Sequence, residues 1–170
     1  MADARDLGSL THLSAEAIGE PGRRRFRLRA MNGAGDAAAV WLEKEQLTSL
    51  GEALESVLKD EDYRYQGIPL DDAEPEAVFP LSPDIDFRGA QMSMGLDRDA
   101  RRVVLTAADT PEGSDDAASV SMRIDYRRAY ELRRQIVDVV SAGRKPCPLC
   151  TAPMDPAGHV CVRSNGHQPH

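Results

Sequence analysis

The chain has 170 residues, 41% of them apolar and 29% charged, with a net charge of −7. That length supports one domain with a real core plus an appendage. It contains no apolar run of the roughly 18–20 residues that a membrane span needs, and its acidic N-terminus lacks the apolar stretch of a secretory signal, so a cytoplasmic protein is expected. The charge is uneven: residues 1–122 carry −11 and residues 123–170 carry +4. Such a body repels nucleic acid, and the basic end reads as a solvated helix face.

Taken in order, the first strand is predicted over about Leu10–Ile18 and ends in the turn Gly19-Glu20-Pro21-Gly22. A second covers about Arg24–Met31, where Phe26 and Leu28 alternate with Arg25, Arg27 and Arg29, the period of a sheet with one wet face. Asn32-Gly33-Ala34-Gly35 signals a hairpin into a third strand, about Ala37–Leu42, with Trp41 expected in the core. Leu47, Leu50, Leu54, Val57 and Leu58 then form one apolar helical stripe. Residues 60–84, rich in Asp, Glu and Pro, read as an acidic loop.

Strands are predicted next at about Phe87–Leu96, Arg101–Ala107 and Ala118–Ile124. A helix follows over about Tyr126–Ser141 with Asp125 as its N-cap. A constant offset of 82 positions carries Leu47 onto Ala129, Leu50 onto Leu132, Leu54 onto Ile136 and Val40 onto Met122. The expected fold is therefore α+β. Duplicated β-β-β-α units form an antiparallel sheet with helices on one face. In this reading residues 1–143 are the body, with repeats at about 8–59 and 85–143 around the 60–84 loop, and residues 144–170 are a zinc-ribbon-like tail.

All three cysteines lie in that tail, as Cys147-Pro148-Leu149-Cys150 and Gly158-His159-Val160-Cys161. An odd cysteine count speaks against a disulfide framework and for metal or free thiols. A Cys-x-x-Cys turn aims two sulfurs at one point, and structural zinc sites close a tetrahedron of thiolate and imidazole. The metal set is therefore Cys147, Cys150 and Cys161, with a fourth ligand from His159, His167, His170 or solvent. His159 is favoured because Gly158 can supply a knuckle's positive φ, and His167 is the alternative. A closed site leaves no open position for metal catalysis, so the cofactor is structural Zn2+.

The body offers little chemistry. No phosphate-binding glycine motif or nucleophile elbow occurs. His12 reads as a surface strand residue, and Asp71-Asp72 and Asp115-Asp116 as solvated loop pairs. Arg25 and Arg27 are anion-binding candidates, although alternate arginines also guard a strand edge from aggregation.

Several segments together resemble a known family. They are Gly19-Glu-Pro-Gly22 with Arg25-Phe26, Leu42-Glu-Lys-Glu-Gln46, Met94-Gly95, Arg102-Val-Val104, and the ending Cys147-Pro-Leu-Cys150, Asp155-Pro-Ala-Gly-His159-Val-Cys161 and Arg163-x-Asn165-Gly166. The chain resembles, over nearly its whole length, the bacterial domain of unknown function 3090. It departs from the family pattern in carrying Thr151 for a glycine, Val162 for a proline and His167 where a tyrosine is frequent. The resemblance implies a cytosolic protein and no particular mechanism. The function expected is a non-enzymatic module that binds a protein partner. The alternative is an enzyme or small-anion binder using a cleft between the repeats.

Overall fold

A computed structural model describes residues 4–20, 22–65, 78–110, 118–143, 147–151, 154, 159–161 and 163. Its elements in chain order are β1 (Ala4–Ile18), β2 (Arg25–Asn32), β3 (Ala37–Leu42), α1 (Lys44–Asp60), β4 (Ile85–Arg88), β5 (Gln91–Asp97), β6 (Arg102–Ala108), β7 (Ser119–Asp125) and α2 (Tyr126–Ser141). The architecture is α+β. The middle of the acidic loop, with Asp71-Asp72, and the Asp115-Asp116 loop lie outside the described residues, as do Gly158, His167 and His170.

The sheet is mixed, which corrects the expected antiparallel arrangement. Its seven strands run in the order β4-β3-β2-β1-β7-β6-β5. The hairpin neighbours are antiparallel, but β1 runs parallel to β7 and β3 parallel to β4. The reason is that β1 changes partner along its length. Ala4–Ser9 pairs with β7, and Leu10–Ile18 pairs with β2. The parallel register shifts between Asp6 and Ser9. Gly8 sits there at φ +64, and its N–H donates to the Asp6 carboxylate at 2.8 Å.

The strand expected over Phe87–Leu96 divides in the same manner. β4 pairs with β3, Gly89 and Ala90 form a joint, and β5 pairs with β6. Gly89 N–H donates to Trp41 O and Ala90 N–H to Ala108 O, both at 2.8 Å, so hydrogen bonding continues through the joint. A Cβ on Gly89 would stand 3.0 Å from both Leu42 Cδ2 and Val40 Cγ1. β4 and β5 occupy opposite ends of the strand order, yet two residues, spanning about 10 Å, connect them. The sheet must therefore curl until its ends meet.

The helices and the inner face of this curled sheet share one core. Phe26, Leu28 and Ala30 of β2, Val103 and Leu105 of β6, and Met122 and Ile124 of β7 alternate inward as period two requires. Leu47, Leu50, Leu54 and Leu58 of α1 join them, with Ala129, Leu132 and Ile136 of α2. The helices approach closely at Gly51, where an added Cβ would lie 3.0 Å from Ile136 Cγ2. Asp125 caps α2 as expected, its carboxylate accepting from Arg128 N–H at 2.8 Å. At the other end the Arg24 guanidinium donates to Val139 O and Ala142 O at 3.5 and 3.2 Å, satisfying carbonyls the helix cannot use.

Gln46, which closes the Leu42-Glu-Lys-Glu-Gln46 segment, ties α1 to the β4–β5 joint. Its Oε1 accepts from Glu43 N–H at 2.8 Å, while its Nε2 donates to Gly89 O at 3.0 Å. Trp41 is not in the core. It lies on the outer face, half exposed, with its indole N–H donating to Asp86 at 2.7 Å. Among the described residues, no helix is long and apolar enough to cross a membrane.

Candidate metal centre

After α2 the chain makes a tight turn at Cys147. Thr151 N–H donates to Cys147 O at 2.8 Å, closing residues 147–151 into one loop. The backbone amides of Cys150 and Leu149 hydrogen-bond the Cys147 sulfur and hold its thiol below the ordinary range, outweighing a burial effect in the other direction. The turn thus eases ionisation of this thiol.

This turn also explains what the departure at residue 151 involves. Thr151 adopts φ +60, the left-handed conformation for which a glycine is suited. A β-branched side chain there costs about 1–2 kcal/mol. Its hydroxyl donates to Cys150 O at 2.7 Å, which offsets part of that strain.

A second arm brings His159 and Cys161 against the turn. His159 Nε2 lies 3.3 Å from Cys150 Sγ, and Cys161 Sγ lies 3.8 Å from Cys147 Sγ. All four ligand atoms fall within 4.8 Å of one another. The sulfur pair is too far apart for a disulfide, whose bond is about 2.05 Å, and no disulfide joins the cysteines. Two sulfurs each roughly 2.3 Å from a common tetrahedral centre would stand about 3.8 Å apart. The donor set and its spacing therefore fit one metal ion, and the cluster could hold it. Arg163 Nη1 donates to Leu149 O at 3.3 Å and fastens the second arm to the first turn. Of the expected ligands, Cys147, Cys150, His159 and Cys161 are brought together. Arg163 was visible in the sequence only as part of a motif.

The arginine candidates lie elsewhere, on the outer face. Arg27 is ion-paired with Glu16 and lies 5.1 Å from the Trp41 ring centroid. Arg25 stacks on the same ring at 4.2 Å. Arg25 also lines a shallow cavity of about 160 Å³ with Arg24, Trp41, Glu43 and Arg88, at the seam where β4 meets β3. Arg24 belongs to the basic run Arg23–Arg29 that the sequence already marks, whereas nothing in the sequence marks Arg88, because its approach depends on the parallel β3–β4 pairing. His12 lies half-buried on the same outer face. Its Nε2 is 3.1 Å from Ser14 Oγ, and its ring lies 6.3 Å from that of Phe79.

Comparison with known families matches residues 6–161 to the family described as "Protein of unknown function (DUF3090)". The chain belongs to this family. In this DUF3090 member the match takes in the curled sheet, both helices and all four residues of the cysteine–histidine cluster. No curated protein matches the chain.

Proposed function

We propose that this chain is a cytoplasmic zinc protein whose metal staples a small ribbon-like tail, and that it serves to bind another protein rather than to catalyse. The observation that carries the zinc reading is the convergence of three Sγ atoms and one imidazole nitrogen within 4.8 Å. Thiolate and imidazole donors in that number suit zinc, and bound zinc would supply a fixed cross-link between two chain segments. Cys147 and Cys150 hold one side from the turn, and His159 and Cys161 hold the other. With four protein ligands no position remains for a substrate. Free thiols in this role need a reducing compartment, which supports the cytoplasmic assignment.

The body reads as two copies of one unit. The 82-residue offset carries β3 onto β7 and α1 onto α2. β1 and the β4–β5 strand each change partner at a glycine, Gly8 and Gly89. The absence of catalytic motifs from the sequence and the acidic charge of residues 1–122 favour a protein partner over a substrate or nucleic acid. Purified full-length protein should contain about one zinc per chain, and Cys147→Ser or Cys161→Ser should lower it. Protein prepared under reducing conditions that holds no zinc and takes none up defeats the proposal.

A second reading, a small-anion site, is favoured by the cavity where Arg24, Arg25 and Arg88 come together. Its size, about 160 Å³, suits an inorganic anion and falls below the roughly 300 Å³ of most organic ligand sites. Phosphate-induced NMR shifts confined to these arginines and Trp41 would support it. Shifts spread over all surface arginines would refute it.

A further inference from the structure

The two helices meet neighbouring strand edges in unlike ways. Beyond Ser9, β1 leaves β7, and α2 closes on the exposed edge, where Gln135 Oε1 accepts from Ala15 N–H at 3.0 Å. β5 likewise leaves β3's neighbourhood at the Gly89–Ala90 joint, and its free edge faces α1. Contact there is made at the two ends. Gln46 binds Gly89 O and Ala90 O, while Glu61 at the helix end pairs with Arg98 at 2.9 Å. Between these pins lies a groove of about 430 Å³, to which α1 contributes Glu45, Leu50 and Ala53, and β5 contributes Met92, Ser93 and Met94. Successive strand side chains point to opposite faces. Three consecutive residues lining one groove therefore mean that it meets the strand's edge and not merely a face.

Among the described residues that edge has no strand beside it, since β5 pairs only with β6. Gln91-Met-Ser-Met-Gly-Leu96 carries no charge and no proline, the usual devices that blunt an edge. A strand edge flanked by a helix offers a row of unmet backbone donors and acceptors beside an apolar wall, and an extended peptide satisfies both together. We infer that the α1–β5 groove binds a short extended peptide segment of a protein partner, which adds a strand to β5. The pins leave room for a strand of about five residues. Met92 and Met94 provide an adaptable floor for unbranched aliphatic side chains. Glu45, the one charged residue lining the groove among the described residues, favours a basic side chain at that end. A second copy of this chain cannot offer its own β5, since that edge lies behind its own α1. The occupant is therefore a lone segment. This deepens the protein-binding reading and rests on it, while the zinc assignment is independent of it.

The test uses the zinc-loaded full-length chain and a displayed library of random linear twelve-residue peptides, with selected sequences resynthesised for titration and NMR. Expected are peptides with aliphatic residues at alternate positions next to Lys or Arg, and shifts confined to residues 45–53 and 90–97. Amide exchange in β5 should be fast on its free side in the unbound protein and at least tenfold slower in the complex. Methylating one backbone nitrogen of the peptide that faces β5 should weaken binding tenfold or more, a change that leaves the protein's own folding untouched. Met94→Arg should abolish binding, and Cys161→Ser should leave it unchanged. If no linear peptide is selected, if N-methylation at every position is harmless, or if β5 amides are already protected in the free protein, the inference falls. Failure here together with a native partner retained by the full chain, and lost on Cys161→Ser, would place binding on the tail and spare the broader reading.

Discussion

From β1 to α2 the chain buries one continuous apolar cluster shared by every layer, whereas among the described residues from 147 onward only Cys147 is buried. Leu149 and Val160 of the tail stand largely exposed. The body is held by area removed from water, worth about 25 cal/mol per Å² of apolar surface. Among its described residues the tail buries little beyond Cys147, so we look for its ordering in the side chains that meet at one point. The contrast leads us to propose that body and tail have separate stabilities, which separate perturbations should distinguish.

The strongest test of that contrast is to remove the zinc proposed for the tail. Structural zinc contributes on the order of 10–16 kcal/mol in small zinc-finger peptides near neutral pH. Chelation, or Cys161→Ser, should therefore disorder residues 147–163, read as loss of amide dispersion and new proteolytic cuts, while the melting temperature of the body hardly moves. Unfolding of the whole chain on chelation would show that the tail belongs to the core. The converse change is Leu54→Ala or Leu105→Ala. Each empties a fully buried position and should cost about 2–5 kcal/mol in denaturant titration, with zinc content unaltered.

Smaller effects sharpen the contrast. Thr151→Gly removes the left-handed strain of the first turn and should improve tail stability by about 1 kcal/mol, measured as slower zinc loss to a competing chelator. Asp125→Ala should destabilise the body by about 1 kcal/mol through loss of the α2 cap, with no change in that zinc-loss rate. Acid should also part the two regions. Asp6 is held below its ordinary range by the Gly8 amide and Arg123, and Glu61 by Arg98. Both therefore contribute stability that is present above the unfolded carboxylate value of about 4 and is lost only as pH falls through their lower folded values. Zinc thiolates take up protons at higher pH than that. A pH titration should show metal release first and the body's transition later. Coincident transitions would refute the two-part picture.

The sequence makes some of this fold legible because the signals are local. The stripe Leu47–Leu58, the alternation Phe26–Leu28–Ala30 and the Asp125 cap each depend on neighbours in the chain, and each is present. The parallel pairings were not legible, because side-chain alternation reports which face is wet and not which way an adjacent strand runs. Trp41 was misplaced for the same reason: β3 supplies inner and outer residues alike, and only the β4 pairing brings Asp86 to the indole N–H. In the tail, the Cys-x-x-Cys turn marked the site unaided, and His159 lies beside Cys150, while His167 and His170 lie outside the described residues. The α1–β5 groove had no sequence signal at all, since it exists only where one strand edge is left without a neighbour.

The parallel seam between Ala4–Ser9 and Ser119–Arg123 also sets a timetable. At ribosomal speeds of about 5–20 residues per second, the first segment emerges roughly ten seconds before the strand it must sit beside. Leu7, destined for the interior, lies in the part of β1 that must wait. Until β7 arrives the parallel seam cannot form, so this part of β1 waits longer for its neighbour than a hairpin strand does.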